Sequence, residues 1–260
     1  MSGVPGSLGR RERLRIWLWS LGLQGSWNPQ RMQNLGLLAV LVSWRRGLGA
    51  DLETDRLFCR RYYEFFNTNP YLANFLVGGL IRLEQERLAG TEVPAGLART
   101  YRDSLGRALA SIGDQLFWMG LRPALALAIC LLGLAGWWPA VLAVIGIFAV
   151  AQLILRWVSL GRGLALGMDL VEVLASPAWH RAVAAVRRVG MVLAGLLIGF
   201  YLVRLQDVAE AMDASMLVLG AMLGLGLPLV LRRRLPGEVL VLVACLLAFA
   251  LTFAIPQVGG

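Results

Sequence analysis

Pro123–Leu155 reads PALALAICLLGLAGWWPAVLAVIGIFAVAQLIL, bounded by Arg122 and Arg156 with no charged side chain between them. The Trp137-Trp138-Pro139 break divides it into Pro123–Trp138 and Pro139–Leu155. Each run is close to the ~17 to 25 residues that a bilayer-spanning helix needs. Three later runs have the same character: Val189–Val203, Met216–Leu231 and Val239–Ile255. In hydrocarbon such runs must satisfy their own backbone polar groups, which a helix does. The sequence therefore predicts an all-α integral membrane protein with about five transmembrane helices.

Arginine sets the orientation. Every one of the 25 basic residues is an arginine. With the amino terminus in the cytoplasm, the loop 156–188 returns inside carrying Arg156, Arg162, Arg181, Arg187 and Arg188, and the turn Arg232-Arg233-Arg234 is inside again. Of the basic residues only Arg204 then falls outside, in the segment Arg204–Ser215 beside Asp207, Glu210 and Asp213. Cytoplasmic loops retain arginine, so this bias places the carboxyl terminus outside.

Composition agrees. The chain has 260 residues, 58% of them hydrophobic, and a mean hydropathy of +0.66, too apolar for one water-soluble core. A pI near 10.6 points to anionic lipid headgroups as partners of the loop arginines, and not to nucleic acid. Cys59, Cys130 and Cys245 lack ligand-like spacing, so no disulfide framework or zinc site is expected and they read as small packing residues. Ile16–Leu23 is a short amphipathic stretch with Trp17 and Trp19, not the apolar core of a cleavable signal peptide.

The chain divides at about residue 115. Residues 1–115 mix polar and apolar side chains in a cytoplasmic or interfacial region, and 116–260 form the transmembrane region. Arg10, Arg11, Arg13 and Arg15 flank Leu14–Leu23, which reads as an amphipathic helix lying in the inner interface. Leu35–Trp44 and Tyr71–Ile81 are apolar but too short to span. They are expected to be re-entrant-type hairpins, tolerated only where protein covers them or a cavity is lined.

Polar loops precede both short stretches. Gln24–Asn34 (QGSWNPQRMQN) supplies amides, a hydroxyl and the Trp27 indole. Such groups can pair with sugar hydroxyls and pack on a sugar face, but Ser and Asn there equally suit a surface loop with helix caps. Arg60–Pro70 (RRYYEFFNTNP) carries Asn67, Thr68 and Asn69, which also read as capping residues before a helix opened by Pro70. A third cluster is Ser111–Gln115 with Phe117, Trp118 and Arg122. Asp114 and Arg122 are either interfacial anchors or a buried pair facing a cavity.

Taken in order, Gln24-Gly-Ser-Trp-Asn, Arg31-Met-Gln, Arg61, Phe65-Phe66-Asn67-Thr68 to Pro70, Leu83-Glu84-Gln85, Ile112-Gly113-Asp114 and Phe117-Trp118 before Arg122-Pro123 closely resemble the IID membrane component of mannose/fructose/sorbose-type sugar phosphotransferase systems. Gly167-Met168-Asp169 resembles the family's Gly-Ile-Asp segment. The resemblance implies a subunit without catalysis or cofactor of its own, in a bacterial inner membrane. It implies a IIC-type membrane partner, with which it forms the sugar path, and soluble IIA and IIB proteins that carry the phosphoryl group to a hexose-type sugar. A higher-order oligomer of heterodimers is the expected assembly. The residues expected to line or position the path are Gln24, Trp27, Asn28, Asn67, Thr68 and Asp114, with Arg31 and Arg122 in support. The alternative is a non-transporting scaffold that recruits soluble phosphotransfer proteins.

Three departures from the family pattern bear on that choice. Gly106–Ser111 replaces a Gly-Pro turn with helix-compatible residues, so a straighter segment is expected. Tyr62 stands where the family usually has a titratable histidine. The outer segment Arg204–Ser215 is short. His180, the one histidine, has no neighbouring carboxylate to orient it and is not expected to accept a phosphoryl group. Gly161, Gly163 and Gly167 are spaced as small residues that let helices approach closely. Asp169 and Glu172 lack the matched roles of a hydrolase.

Overall fold

The computed structural model describes residues 7–48, 52–94 and 96–209. The expected spans Met216–Leu231 and Val239–Ile255, the arginine turn 232–234 and Cys245 lie outside the described residues. Backbone contacts divide the chain into a first unit, residues 1–197, and a second from Ile198 onward. Among the described residues the regular structure is helical, with two isolated β-bridges.

The helices are α1 (Arg10–Leu21), α2 (Asn34–Arg45), α3 (Leu52–Tyr62), α4 (Ala73–Leu88), α5 (Leu97–Gly113), α6 (Arg122–Leu134), α7 (Trp138–Leu166), α8 (Leu170–Leu174) and α9 (Pro177–Ala209). A π-helical stretch, Asp114–Leu121, joins α5 to α6. Pro139 sits in the first turn of α7, where a missing N–H costs nothing, and Pro123 lies just past the π-helical stretch that leads into α6. Between them Gly136 adopts φ +75°, which closes the turn after α6 at no steric cost.

Among the described residues two helical runs are long and apolar enough to cross a membrane, Leu97–Leu134 and Trp138–Leu174. Only 6% of the most apolar window of the second is buried within the protein. Leu142, Ile147, Val150 and Ile154 therefore project outward, as lipid-facing side chains do and as a soluble core would not. Val189, Met191, Val192 and Leu196 do the same on α9, within the expected span Val189–Val203. The compositional change near residue 115 falls inside the continuous run from α5 to α6.

Several boundaries differ from expectation. The first apolar run ends as helix at Leu134, because Gly136 turns the chain before Trp137-Trp138. The second continues past Leu155 to Leu166, so Arg156 lies within α7 and does not open a loop. Its guanidinium is satisfied in place: Nη1 donates to the Ser20 carbonyl at 3.0 Å, and the group lies 5.7 Å from the centre of the Tyr71 ring. The 156–188 segment is accordingly mostly helical, as the end of α7, α8 and the start of α9. Cys130, expected to pack, is exposed on α6.

Both short apolar stretches are helices, α2 and α4, and α4 is enclosed by protein throughout Ala73–Ile81. The α4–α7 crossing is made by glycines. A Cβ on Gly78 would overlap the Leu160 carbonyl, and one on Gly163 the Phe75 carbonyl. Small residues let two backbones approach this closely, as the Gly161, Gly163, Gly167 spacing predicts. Gly161 faces the Arg13 guanidinium, and Gly167 accepts the Tyr101 hydroxyl at 2.7 Å on its carbonyl. Around the crossing, Ile16, Leu37, Leu41, Leu76, Leu80 and Leu160 are fully buried. α1 packs Ile16 inward but leaves Leu14, Leu18 and Trp19 exposed. It is pinned to α7 by Arg13 Nη2 donating to the Trp157 carbonyl (2.9 Å) and by Trp17 Nε1 donating to Leu153 O (3.3 Å).

Candidate functional site

The two polar loops are one structure. In the first, the Asn28 side-chain oxygen accepts the Arg31 amide at 2.8 Å, the local turn bond that Asn favours. Asn28 and Met32 then exchange backbone hydrogen bonds of 3.1 and 2.8 Å. Met32 has φ +55°, a left-handed conformation rare for a non-glycine residue. It costs about 1–3 kcal/mol and persists only where its surroundings fix it. They do so here by joining the second loop: the Gln33 amide donates to Phe66 O at 2.8 Å, and the Phe66 amide to Arg31 O at 3.3 Å.

Gln33 completes the pairing with its side chain. Its Nε2 donates to Thr68 O at 2.9 Å and its Oε1 accepts the Thr68 amide at 3.2 Å, so a buried primary amide serves as the missing strand edge. The Thr68 hydroxyl donates to the Gly106 carbonyl of α5 at 3.0 Å. Next to it, Asn69 Nδ2 reaches Asp114 Oδ1 at 3.3 Å, while Asn69 Oδ1 accepts the Tyr71 amide. The Asn69 carbonyl takes the Leu72 and Ala73 amides, so the helix-opening role expected for this segment falls to Asn69. On the other side Arg31 Nη1 donates to Tyr63 O (2.8 Å) and its guanidinium covers the Tyr63 ring at 4.4 Å.

The expected residues therefore divide by environment. Thr68 is buried, and Asn28 and Arg31 are committed to holding the loops together. Gln24, Trp27, Asn67 and Asp114 are exposed beside them, Trp27 by 53%. Arg122 does not pair with Asp114; it stacks on Trp118 at 4.2 Å. α5 runs unbroken through Gly106–Ser111, the straight segment anticipated there, and so presents the carbonyl that Thr68 uses.

A second polar centre was not expected. Glu84, on α4, is only 4% exposed. Its carboxylate accepts Arg61 Nη1 at 2.6 and 2.8 Å and the Tyr62 hydroxyl at 2.7 Å. Tyr62 thus presents a hydroxyl donor to the acid. Burial first, then the Glu84 charge, push its phenol well above the ordinary tyrosine range, so the donor stays protonated. Deeper in the helix layer, Asn74 Nδ2 donates to Ser20 Oγ and to Arg156 O, both at 2.9 Å, which ties α4 to α1 and α7. Asn74 was legible only as a polar residue in an apolar stretch, and Gln33 only as part of the Arg31-Met-Gln segment.

Among the described residues no cluster of three metal-ligating side chains occurs. The sequence matches the mannose/fructose/sorbose family IID component of the phosphotransferase system over residues 7–253. The chain belongs to that family. Its relative in Escherichia coli K12, the mannose-specific EIID component, is 32% identical over 158 residues, which span 60% of this chain and 56% of the relative. A solved membrane protein superimposes with a TM-score of 0.68 at 28% identity, over 74% of this chain and 71% of the other. A chain from the cryo-EM structure of the mannose transporter ManYZ with microcin E492 does so with a TM-score of 0.59, also at 28% identity, over 74% and 70%. A IID component with outward-facing apolar helices is a membrane protein, and of the residues quoted above for the resemblance, Asn28, Arg31, Met32, Gln33, Phe66 and Thr68 build the paired loops.

Proposed function

We propose that this IID component is the membrane subunit of a phosphoenolpyruvate-dependent sugar permease of a bacterial inner membrane, oriented with its amino terminus in the cytoplasm and its carboxyl terminus outside. With a IIC-type membrane partner it forms the sugar path, and soluble IIA and IIB proteins supply the phosphoryl group. The observation that carries this reading is the pairing of the two polar loops through Met32, Gln33, Phe66 and Thr68, which holds exposed Gln24, Trp27 and Asn67 on one fixed frame. α2 and α4 act as the re-entrant elements that seat this frame at membrane depth, where a hydrogen-bonding side chain discriminates strongly among hydroxyl patterns. Thr68, Asn28 and Arg31 position the frame, Asp114 braces it through Asn69, and Arg122 anchors the start of α6 beside Trp118.

Uptake of radiolabelled mannose, fructose and sorbose in a host lacking its own permease tests this, with and without the IIC-type partner. Uptake that needs both membrane chains is expected. Assembly with the partner but no uptake of any hexose would favour the scaffold, a reading to which the unbroken α5 at Gly106–Ser111 lends support. Asn67→Ala should cut uptake at least tenfold with assembly intact; normal uptake would remove Asn67 from the path.

A further inference from the structure

The far side of the second loop forms a separate feature. Glu64–Asn67 and α5 enclose a cleft of about 200 Å³, which Arg99, Arg102, Asp103 and Arg107 line from the helix side. Three guanidinium groups meet two carboxylates, Glu64 and Asp103, which leaves one positive charge in excess. Arg102 is the unusual member, with its side chain only 2% exposed. Its Nη2 donates to Glu64 at 2.7 Å and its Nε to Asp103 at 2.9 Å, while its Nη1 is buried without a partner. Arg99 leans on the same two acids, at 3.3 and 4.0 Å. Both carboxylates are thus already engaged. Arg107 is exposed on the next turn of the helix with no ion pair among the described residues.

A buried guanidinium with an idle N–H is costly unless an acceptor arrives. The acceptor this cleft lacks is anionic, because the excess charge is positive. It must also offer several oxygens at once, because the donors reach the one cleft from successive turns of α5. A tetrahedral phosphate meets both conditions, and guanidinium groups match its geometry. We propose that this cleft binds a phosphate group, held by Arg107 and Arg99 at the mouth and Arg102 beneath, with Phe65 flanking whatever the phosphate is attached to. The same chemistry is offered by a soluble phosphate and by an anionic lipid headgroup.

The full-length protein in phosphatidylcholine nanodiscs, titrated calorimetrically with inorganic phosphate at constant ionic strength, gives the first arm. The second arm uses discs containing phosphatidylglycerol and counts retained anionic lipid by native mass spectrometry. Saturable phosphate binding in the neutral discs identifies a soluble ligand. Retained phosphatidylglycerol that inorganic phosphate displaces identifies the headgroup. In either case Arg107→Gln, a surface change that leaves the ion pairs in place, should weaken binding at least tenfold, as loss of one charge-assisted contact requires. Arg102→Gln should abolish it, provided helical content is kept. Absence of binding in both arms, or binding that Arg107→Gln does not alter, overturns the proposal.

Discussion

At the residue scale, buried polar side chains decide more than the exposed ones. Tyr62→Phe removes one of the donors to the buried Glu84 carboxylate and should cost about 1–3 kcal/mol, read as a lower midpoint of thermal unfolding in detergent. It should also change the alkaline limb. In the unfolded chain this phenol ionises near pH 10, whereas folding holds it neutral to higher pH. The stability it contributes is therefore complete below pH 10 and declines as pH rises beyond that. The wild type should lose stability above pH 10 more steeply than Tyr62→Phe, and parallel curves would separate Tyr62 from Glu84. Gln33→Leu should be worse at neutral pH, since it orphans both backbone groups of Thr68. Loss of the paired loops should appear as faster proteolysis near Arg31 and Arg60. The sequence singled out Thr68 and Asn28 as residues that line or position the path; that their bonds run inward follows from partners that no local pattern names.

Helix packing is the element-scale argument, and it is a matter of backbone distance. Gly163→Ala must push apart α4 and α7, because its methyl meets the Phe75 backbone and not a movable side-chain end. Overpacking of that kind costs about 1–3 kcal/mol or more. Gly146→Ala, on the same helix but with open space around it, should be neutral or slightly stabilising. Comparing the two variants by thermal unfolding in one detergent isolates the crossing from helix propensity. The small-residue spacing around Gly163 was visible in the sequence. Its partner Gly78 was not, because α4 reads as an apolar half-span whose length says nothing about which helix it faces. The end of α7 was likewise misplaced at Leu155, since a charge at Arg156 ends an apolar run in one dimension while Ser20 and Tyr71 accommodate it in three.

For the whole molecule, the outward apolar faces of α6, α7 and α9 set the solvent. Ile147→Arg places a charge on the exposed middle of α7, where it should raise the cost of insertion by about 2.5–3.5 kcal/mol. An in vitro insertion assay with glycosylation sites flanking α7 should show a reduced inserted fraction. Asp169→Arg, beyond the end of α7 in a polar turn, should insert normally. If both variants insert like the wild type, α7 does not cross the bilayer. The positions of the exposed Trp137 and Trp138 at the α6–α7 turn suit a membrane–water boundary, and their fluorescence should be quenched by headgroup-level but not by mid-chain quenchers.

What the chain announced by itself was its solvent and its family. Uninterrupted apolar runs are one-dimensional signals, because a bilayer selects on local composition and length, and motif order survives without any knowledge of contacts. What only the tertiary structure decided was which polar groups face inward. Gln33 finds Thr68 across 35 residues and Asn74 finds Arg156 across 82. Hydrogen bonds between residues so far apart depend on how the helices cross, and that crossing is fixed by where two glycines let backbones touch.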